Sequence, residues 1–443
     1  MIMPTDEEHI HHFKEEGGFE MDISMKKESI DDPFTEVPPA GEMIVFLRQH
    51  IGKETKPLVK VGDSVKYGQK IGDYEDGGPM VVPVHSPVNG TVKDIKKLKH
   101  PISQKRENAV IISTENEETE PFYEPMDLKG TSIEKLIDRV REAGIVGLGG
   151  ASFPTHLKLS EDKKITHLII NAKESDPNLA CDVRLMMEKG EEMIQGIKLM
   201  GKMLQVNKIL FATRTKEGEV PGFEKLLKKN GIKVARIRPN YSVGSERLLV
   251  KEVLDREVPS KDFPPSVGAV VHNVATAYAV SKAVLDGESL VSRGLTLYSK
   301  ETGGKNLWVR MGTPVEHVFK YCGTTPDKFD RIAIGSIMMG PTIPNASYPV
   351  MKATSGITAF THSELSPYKK QKPCIRCGYC NTVCPVDIYP VLIMEAAKKA
   401  DSKMIKKYHA EDCIDCGLCS YVCPSYIKLT PYLRKASSIA SKD

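Results

Sequence analysis

The 443-residue chain has no apolar run approaching the ~20 residues that a membrane-spanning helix requires, so no bilayer crossing is expected. Its first residues are charged and histidine-rich (Glu7, Glu8, His9, His11, His12) and lack the apolar core of a secretory signal. An excess of one charge sign is also lacking: the formal net charge is +4, which gives no strong electrostatic footprint for nucleic acid. Tryptophan occurs once, as Trp308, and reads as core. Outside two short segments only Cys181 and Cys322 remain of ten cysteines, which leaves no disulfide framework. Both lone cysteines read as buried small hydrophobes. The chain is expected to be cytoplasmic.

The other eight cysteines form one motif used twice. Cys374, Cys377, Cys380 and Cys384, followed by Pro385, are spaced C-x2-C-x2-C-x3-C-P, and Cys413, Cys416, Cys419, Cys423 and Pro424 repeat that spacing. Bacterial ferredoxin modules hold [4Fe–4S] clusters this way, and the fourth cysteine of each run commonly ligates the other cluster. One cluster is therefore assigned to Cys374, Cys377, Cys380 and Cys423, and the other to Cys413, Cys416, Cys419 and Cys384. A four-coordinate structural zinc needs two C-x2-C pairs and has no use for a third cysteine followed by C-P.

Taken in order, residues 1–40 lack periodicity and read as an extended arm. Residues 41–120 alternate apolar and polar residues between glycines, with two hairpins, the second (His85–Ile95) carrying Asn89-Gly90 as its turn. These halves resemble the barrel-sandwich folds of biotinyl and lipoyl carriers. Yet the span 71–92 holds no lysine to acylate, and Asp76-Gly-Gly-Pro79 occupies the expected tip, so a structural or docking barrel is expected.

From residue 121 to 290 helix and strand alternate. Ser132 is a helix cap with Ile133, Leu136, Ile137 and Val140 at helical spacing. Strands are expected at His167–Asn171, Ile209–Thr213 and Val234–Ile237, with helices at about 182–205 and 220–230, a doubly wound parallel α/β domain. Val270–Leu285 reads as a helix entered at Asn273. The loop Gly144-Ile-Val-Gly147-Leu-Gly149-Gly150-Ala-Ser-Phe153-Pro154-Thr-His-Leu-Lys158 is glycine-rich without being G-x-G-x-x-G, and suits a phosphate. Residues 258–266 are a proline-rich loop. Residues 291–365 are β-rich with a helix near Val315–Tyr321. Residues 366–443 form the cluster domain, in which 391–407 is helical with a lysine-rich, solvated face.

These segments are similar, over nearly the whole chain, to the C subunits of Rnf-type ion-translocating ferredoxin:NAD+ oxidoreductases. The middle resembles the NADH-oxidising flavoprotein subunit of respiratory complex I. The resemblance is carried by Gly147–Lys158, Asn171-Ala-Lys-Glu-Ser-Asp-Pro-Asn178, Tyr241-Ser-Val-Gly-Ser-Glu246 and His272-Asn-Val-Ala-Thr276. It implies a multidomain α/β protein: barrel-sandwich domain, doubly wound flavin/NAD domain, ligand-binding β-grasp module and helical ferredoxin-type domain with two [4Fe–4S] clusters. It further implies FMN held by Gly147, Gly149, Gly150, Lys158, Asn171, Glu174, Asp176, Tyr241, Gly244, Glu246, Asn273 and Thr276. NAD(H) as substrate would stack on Phe153 and Phe263, with Glu174 and Asp176 as candidate catalytic groups. The implied partners are the other subunits of a membrane complex, with ferredoxin reached indirectly and the chain peripheral on the cytoplasmic side. Four positions depart from the complex I pattern: Leu148 for Arg, Lys173 for an acid, Ser245 for Glu and Ala275 for Glu.

Overall fold

The computed structural model describes residues 13–14, 18–19, 29–74, 78, 80–214, 220, 222–335, 337–365 and 370–440. The Asp76–Pro79 tip of the barrel, apart from Gly78, and the start of the link to the cluster domain lie outside the described residues, as does most of the N-terminal arm.

Two small antiparallel sheets make the barrel. One runs Glu42–Phe46, Arg106–Asn116, Asn89–Lys99, Ser64–Val65; the other runs Lys56–Pro57, Lys70–Asp73, Val84–His85. Val45, Leu47, Ile71, Val84, Val92 and Ile112 fill the space between them. The Asn89-Gly90 pair is not a turn, contrary to the sequence expectation. Both residues begin the strand Asn89–Lys99, and Asn89 Oδ1 accepts from Tyr67 N at 2.7 Å. Gly90 is required by strand proximity, since a Cβ there would stand 2.1 Å from the Ser113 carbonyl oxygen.

The central domain has a parallel four-stranded sheet in the order Lys233–Ile237, Ile209–Arg214, His167–Asn171, Ala269–Asn273. Helix Ile133–Glu142 starts at Ser132, whose side chain accepts from Lys135 N. Helices Cys181–Glu188 and Gly190–Met203 fill the first predicted helical window and Phe223–Lys229 the second. The expected helix 270–285 is in fact a strand followed by a helix. Val270 and Val271 pair with Leu168 and Ile169, and Asn273 then caps Val274–Leu285 by accepting from Ala275 N. Apolar runs on a fully buried strand and a buried helix have no period to tell them apart.

A six-stranded mixed sheet follows, in the order Thr342–Ile343, Arg331–Ile334, Gly356–Phe360, Ser292–Ser299, Gly303–Arg310, Thr35–Glu36. Its last strand comes from the arm, and Phe34 stands edge-on to Trp308 with ring centroids 5.5 Å apart. Helix Val315–Tyr321 buries Val315, Val318 and Phe319 on the sheet. Among the described residues of the cluster domain, helices Pro390–Lys399, Ser402–Lys407 and Leu429–Ala440 pack around Ile393, Ile405 and Leu433. The expected continuous helix 391–407 breaks at Ala400, which takes φ +52°, and restarts where Asp401 accepts from Met404 N at 3.1 Å.

Candidate functional site

The cysteine loops come first, because their spacing dictates their shape. In each, the third cysteine sits in a four-residue helical turn (Tyr379–Thr382 and Leu418–Tyr421) entered through a glycine in the left-handed region, Gly378 or Gly417. The loops trade their last residues. The charged neighbours of the Cys380 thiol are Cys377, Cys423 and Cys374, whereas those of Cys416 include Cys413 and Cys384. Cys384, Cys413, Cys416 and Cys419 line one cavity beneath Thr430 and Leu433.

A single zinc with Zn–S bonds of about 2.3 Å places its sulfurs roughly 3.8 Å apart. Among the described residues no three of these cysteines bring their sulfurs within 4.8 Å of one another. That wider spacing fits a polynuclear iron–sulfur centre. Burial pushes the thiol pKa up, to about 11 for Cys413 and about 12 for Cys416, and neighbouring thiols add to the rise. Thiolates packed this way need cationic iron to hold their protons off.

The two sets differ in depth. Cys374 and Cys377 are exposed beside Ile375, which is 68% exposed. Cys416, by contrast, packs into an apolar cluster with Leu418, Val422, Met338, Phe360 and Tyr241. The second set therefore lies toward the central domain and the first toward solvent.

In the central domain, the strand ends and glycine-rich loop converge at one end of the parallel sheet. Val146 bridges Pro154, and Gly147 N donates to Phe153 O at 2.8 Å, closing the loop on itself. Gly149, Gly150 and Ala151 are exposed at its tip. Gly150 takes φ +139° with open space where a Cβ would stand; a Cβ on Gly149 would press on Asn273 Cβ at 3.1 Å. Leu148 N donates to Thr276 Oγ1 at 2.9 Å. Lys158 Nζ pairs with Glu246, donates to Val271 O at 3.2 Å and lies 5.8 Å from the Phe153 ring centroid.

Asn171 Nδ2 donates to Gly244 O at 2.9 Å, and Tyr241 is buried in the same short turn. Glu174 Oε1 accepts from Asp182 N at 3.2 Å, and Asn273 Nδ2 donates to Asp182 Oδ2 at 2.6 Å. Asp176 is half-buried on the loop after the first strand. Phe263, on the proline-rich loop, is 70% exposed, whereas Phe153 is half-buried. Ser152 Oγ, Thr155 Oγ1, Ser175 Oγ and His272 Nε2 are buried polar atoms of this region with no hydrogen-bond partner among the described residues. An exposed glycine tip, two lysines (Lys158 and Lys173) and these orphaned polar atoms suit a polar, anionic cofactor such as FMN.

Of the four departures, Leu148 and Ala275 line one pocket with Asp182 and Arg293. Lys173 is buried and donates to the Asn240 carbonyl. Ser245 precedes helix Glu246–Leu254. Cys181 is buried as expected, but it is not merely apolar filling: its thiol donates to Glu174 Oε1 and Ser355 O, each at 3.3 Å. Burial and the Glu174 and Asp182 carboxylates raise its pKa well above the ordinary range. Asp182 and Arg293 went unnoticed in the sequence. Nothing local marks Asp182, and Arg293 shows only as a charge between Val291 and Leu295.

Comparison with known proteins agrees with this geometry. Residues 13–117 match the RnfC barrel sandwich hybrid domain, 140–282 the Nuo51 FMN-binding domain and 366–424 the 4Fe-4S dicluster domain. Over 418 residues, 93% of its length, the chain is 36% identical to the C subunit of the ion-translocating oxidoreductase complex of Haemophilus influenzae (strain PittEE), covering 64% of that protein. The chain is homologous to these C subunits. The same-named protein of Serratia proteamaculans (strain 568) is 35% identical over 418 residues, with 93% of this chain and 59% of that protein covered. The chain thus spans about six-tenths of the length of these relatives. An NAD+-reducing [NiFe]-hydrogenase in the air-oxidised state shares the fold at TM-score 0.50 and 14% identity, over 70% of this chain and 63% of that one. This C-subunit homologue carries an FMN-binding domain and a dicluster iron–sulfur domain. Among the described residues no helix is long and apolar enough to cross a membrane.

Proposed function

We propose that the chain is the electron-transfer subunit of an ion-translocating ferredoxin:NAD+ oxidoreductase. It would exchange hydride with NAD(H) at the glycine-rich loop and single electrons through its two clusters. It would sit peripherally on the cytoplasmic side of the membrane, joined to the other subunits of the complex and reached by ferredoxin only through them. The observation that carries this reading is Tyr241, which begins the turn closing on Asn171 and also packs in one apolar cluster with Cys416. FMN, when bound, accepts a hydride and passes its two electrons on singly.

The chain's own residues do the positioning. The Gly149–Ala151 tip and Lys158 would receive the flavin phosphate, with Asn171, Glu174, Asp176, Gly244, Glu246, Asn273 and Thr276 shaping the rest of the pocket. Phe153 would stack on the nucleotide, with Phe263 as a second ring from the proline-rich loop. Cys384, Cys413, Cys416 and Cys419 would hold the cluster nearer the flavin. Cys374, Cys377, Cys380 and Cys423 would hold the one facing the redox partner. Anaerobically purified protein should contain flavin and reduce ferricyanide with NADH. Protein with full iron but no flavin and no such activity would refute this reading.

A second reading, an iron–sulfur relay without nucleotide chemistry, is favoured by one observation: Lys158, the candidate phosphate ligand, is already ion-paired with Glu246. It predicts full cluster content and no NADH oxidation.

A further inference from the structure

Arg293 lies in the strand Ser292–Ser299 of the β-grasp module, outside the flavin domain, and its side chain is buried with the residue 3% exposed. Its guanidinium donates to three backbone carbonyls: Nε to Gly294 O at 3.1 Å, Nη2 to Leu148 O at 3.3 Å, and Nη1 to Lys352 O. The carboxylates of Asp182 and Glu174 lie close enough to offset part of its charge. Burying a guanidinium costs several kcal/mol before its hydrogen bonds offset the loss, and packing alone favours an apolar side chain. What Arg293 gains is a grip on Leu148, the residue between Gly147 and Gly149.

Leu148 is held from two sides. Its N–H donates to Thr276 Oγ1 at 2.9 Å on the Asn273-capped helix, and its carbonyl accepts from Arg293. The residue whose carbonyl takes the other arm of the guanidinium, Lys352, extends the grip to the barrel. Its backbone N–H donates to Gln49 Oε1 at 3.1 Å, and its buried Nζ donates to Pro83 O at 3.1 Å and Gly144 O at 2.7 Å. Gly144 opens the glycine-rich segment and Pro83 belongs to the barrel. One connected set of hydrogen bonds thus runs from the barrel through the β-grasp module to the loop.

We propose that Arg293 is a positioning residue for flavin binding: it fixes the backbone of the glycine-rich loop in the shape that takes the FMN phosphate, and Lys352 braces that shape against the barrel. This rests on the flavin reading above. It also gives the barrel, which has no lysine to acylate in the span 71–92, a task inside this chain.

The test is FMN titration of flavin-depleted, full-length protein by fluorescence quenching, with thermal unfolding measured alongside. Arg293→Gln should weaken FMN binding at least tenfold, and Arg293→Lys should recover part of the loss. The control is Arg310→Gln. Arg310, cross-strand partner of Ser292, is also buried but donates to the carbonyls of Pro87 (3.5 Å) and Glu117 (2.9 Å), neither of them in the glycine-rich loop. That variant should lose stability and keep its FMN affinity. The proposal is overturned if folded Arg293→Gln binds FMN as tightly as wild type, or if Arg310→Gln loosens it equally. Should Arg293→Gln not fold, Arg293→Lys serves instead: weaker FMN binding in the folded variant supports the grip on Leu148, and unchanged binding overturns it. Wild-type protein that takes up no FMN removes the flavin reading and this one together, whereas unaltered variants beside a binding wild type remove this one alone.

Discussion

Arg247 Nη1 donates to Asp412 Oδ1 at 2.9 Å, an ion pair that joins the central domain to the residue just before Cys413. Ser260 Oγ of the proline-rich loop donates to the same carboxylate at 2.8 Å, and Lys261 pairs with Glu411 at 3.6 Å. The loop that bears Phe263 therefore also seats the second cysteine loop. Asp412→Ala should cost roughly 1–3 kcal/mol through the lost hydrogen bonds of a half-buried carboxylate. In stopped-flow reduction by NADH, flavin bleaching should keep its rate while cluster bleaching slows. Equal slowing of both phases would mean that the contact does not set the spacing between the two centres.

Two complete ligand sets predict about eight iron and eight sulfide per chain. Cys380→Ala and Cys416→Ala should each remove one cluster and leave the other's EPR signal. Because Cys416 packs in the apolar cluster with Tyr241 while Cys377 is exposed, Cys416→Ala should be the variant that cuts NADH-driven reduction of the remaining cluster. Loss of both signals in either variant would contradict the separate grouping.

The barrel should carry no acyl cofactor. Mass spectrometry of the peptide covering 71–92, which holds no lysine, should show an unmodified mass. A shift matching biotin or lipoate on any barrel peptide would overturn the structural role given to this domain.

At the junction of barrel and loop, burial lowers the Lys352 ammonium from 10.5 to about 7 and the His50 imidazole from 6.5 to about 4. Between each pair of values the unfolded chain binds more protons than the folded one, so stability rises with pH across both windows. It should fall as pH drops from 6.5 toward 4 and climb from pH 7 toward 10. Lys352→Met should flatten the second slope and, because the Lys352 charge also helps to lower His50, weaken the first without abolishing it, as read by denaturant midpoints at pH 5, 7 and 9. An unchanged slope above pH 7 would show that the lysine is not titrating there.

The fold was legible where residue pattern and local chemistry coincide. The strand His167–Asn171, the Ser132 cap and the helix Val315–Tyr321 all stand where the periodicity puts them. It was illegible where one local cue has two uses. Asn89-Gly90 marks a turn in many hairpins, but here Gly90 answers to the carbonyl of Ser113 across the sheet. The cysteine spacing announced its chemistry because all the donors of a loop are neighbours in sequence. Arg293 and Lys352 could not be found that way, since their partners Leu148, Gly144 and Pro83 lie more than 140 residues away. Nothing along the chain connects them.

The central claim is that hydride accepted at the glycine-rich loop leaves as single electrons through the cysteine centres. The most direct measurement is anaerobic titration of the purified full-length chain with NADH, followed by EPR, beside Gly150→Val and Phe153→Ala. A Cβ at Gly150, which takes φ +139°, strains the loop and fills the open space at its tip, so that variant should lose flavin. Phe153→Ala should retain flavin and raise the NADH requirement by an amount corresponding to ~1–3 kcal/mol of stacking. The account predicts reduced-cluster signals in wild type at stoichiometric NADH, none in Gly150→Val, and signals at higher NADH in Phe153→Ala. Cluster reduction by NADH that persists in flavin-free Gly150→Val would contradict it.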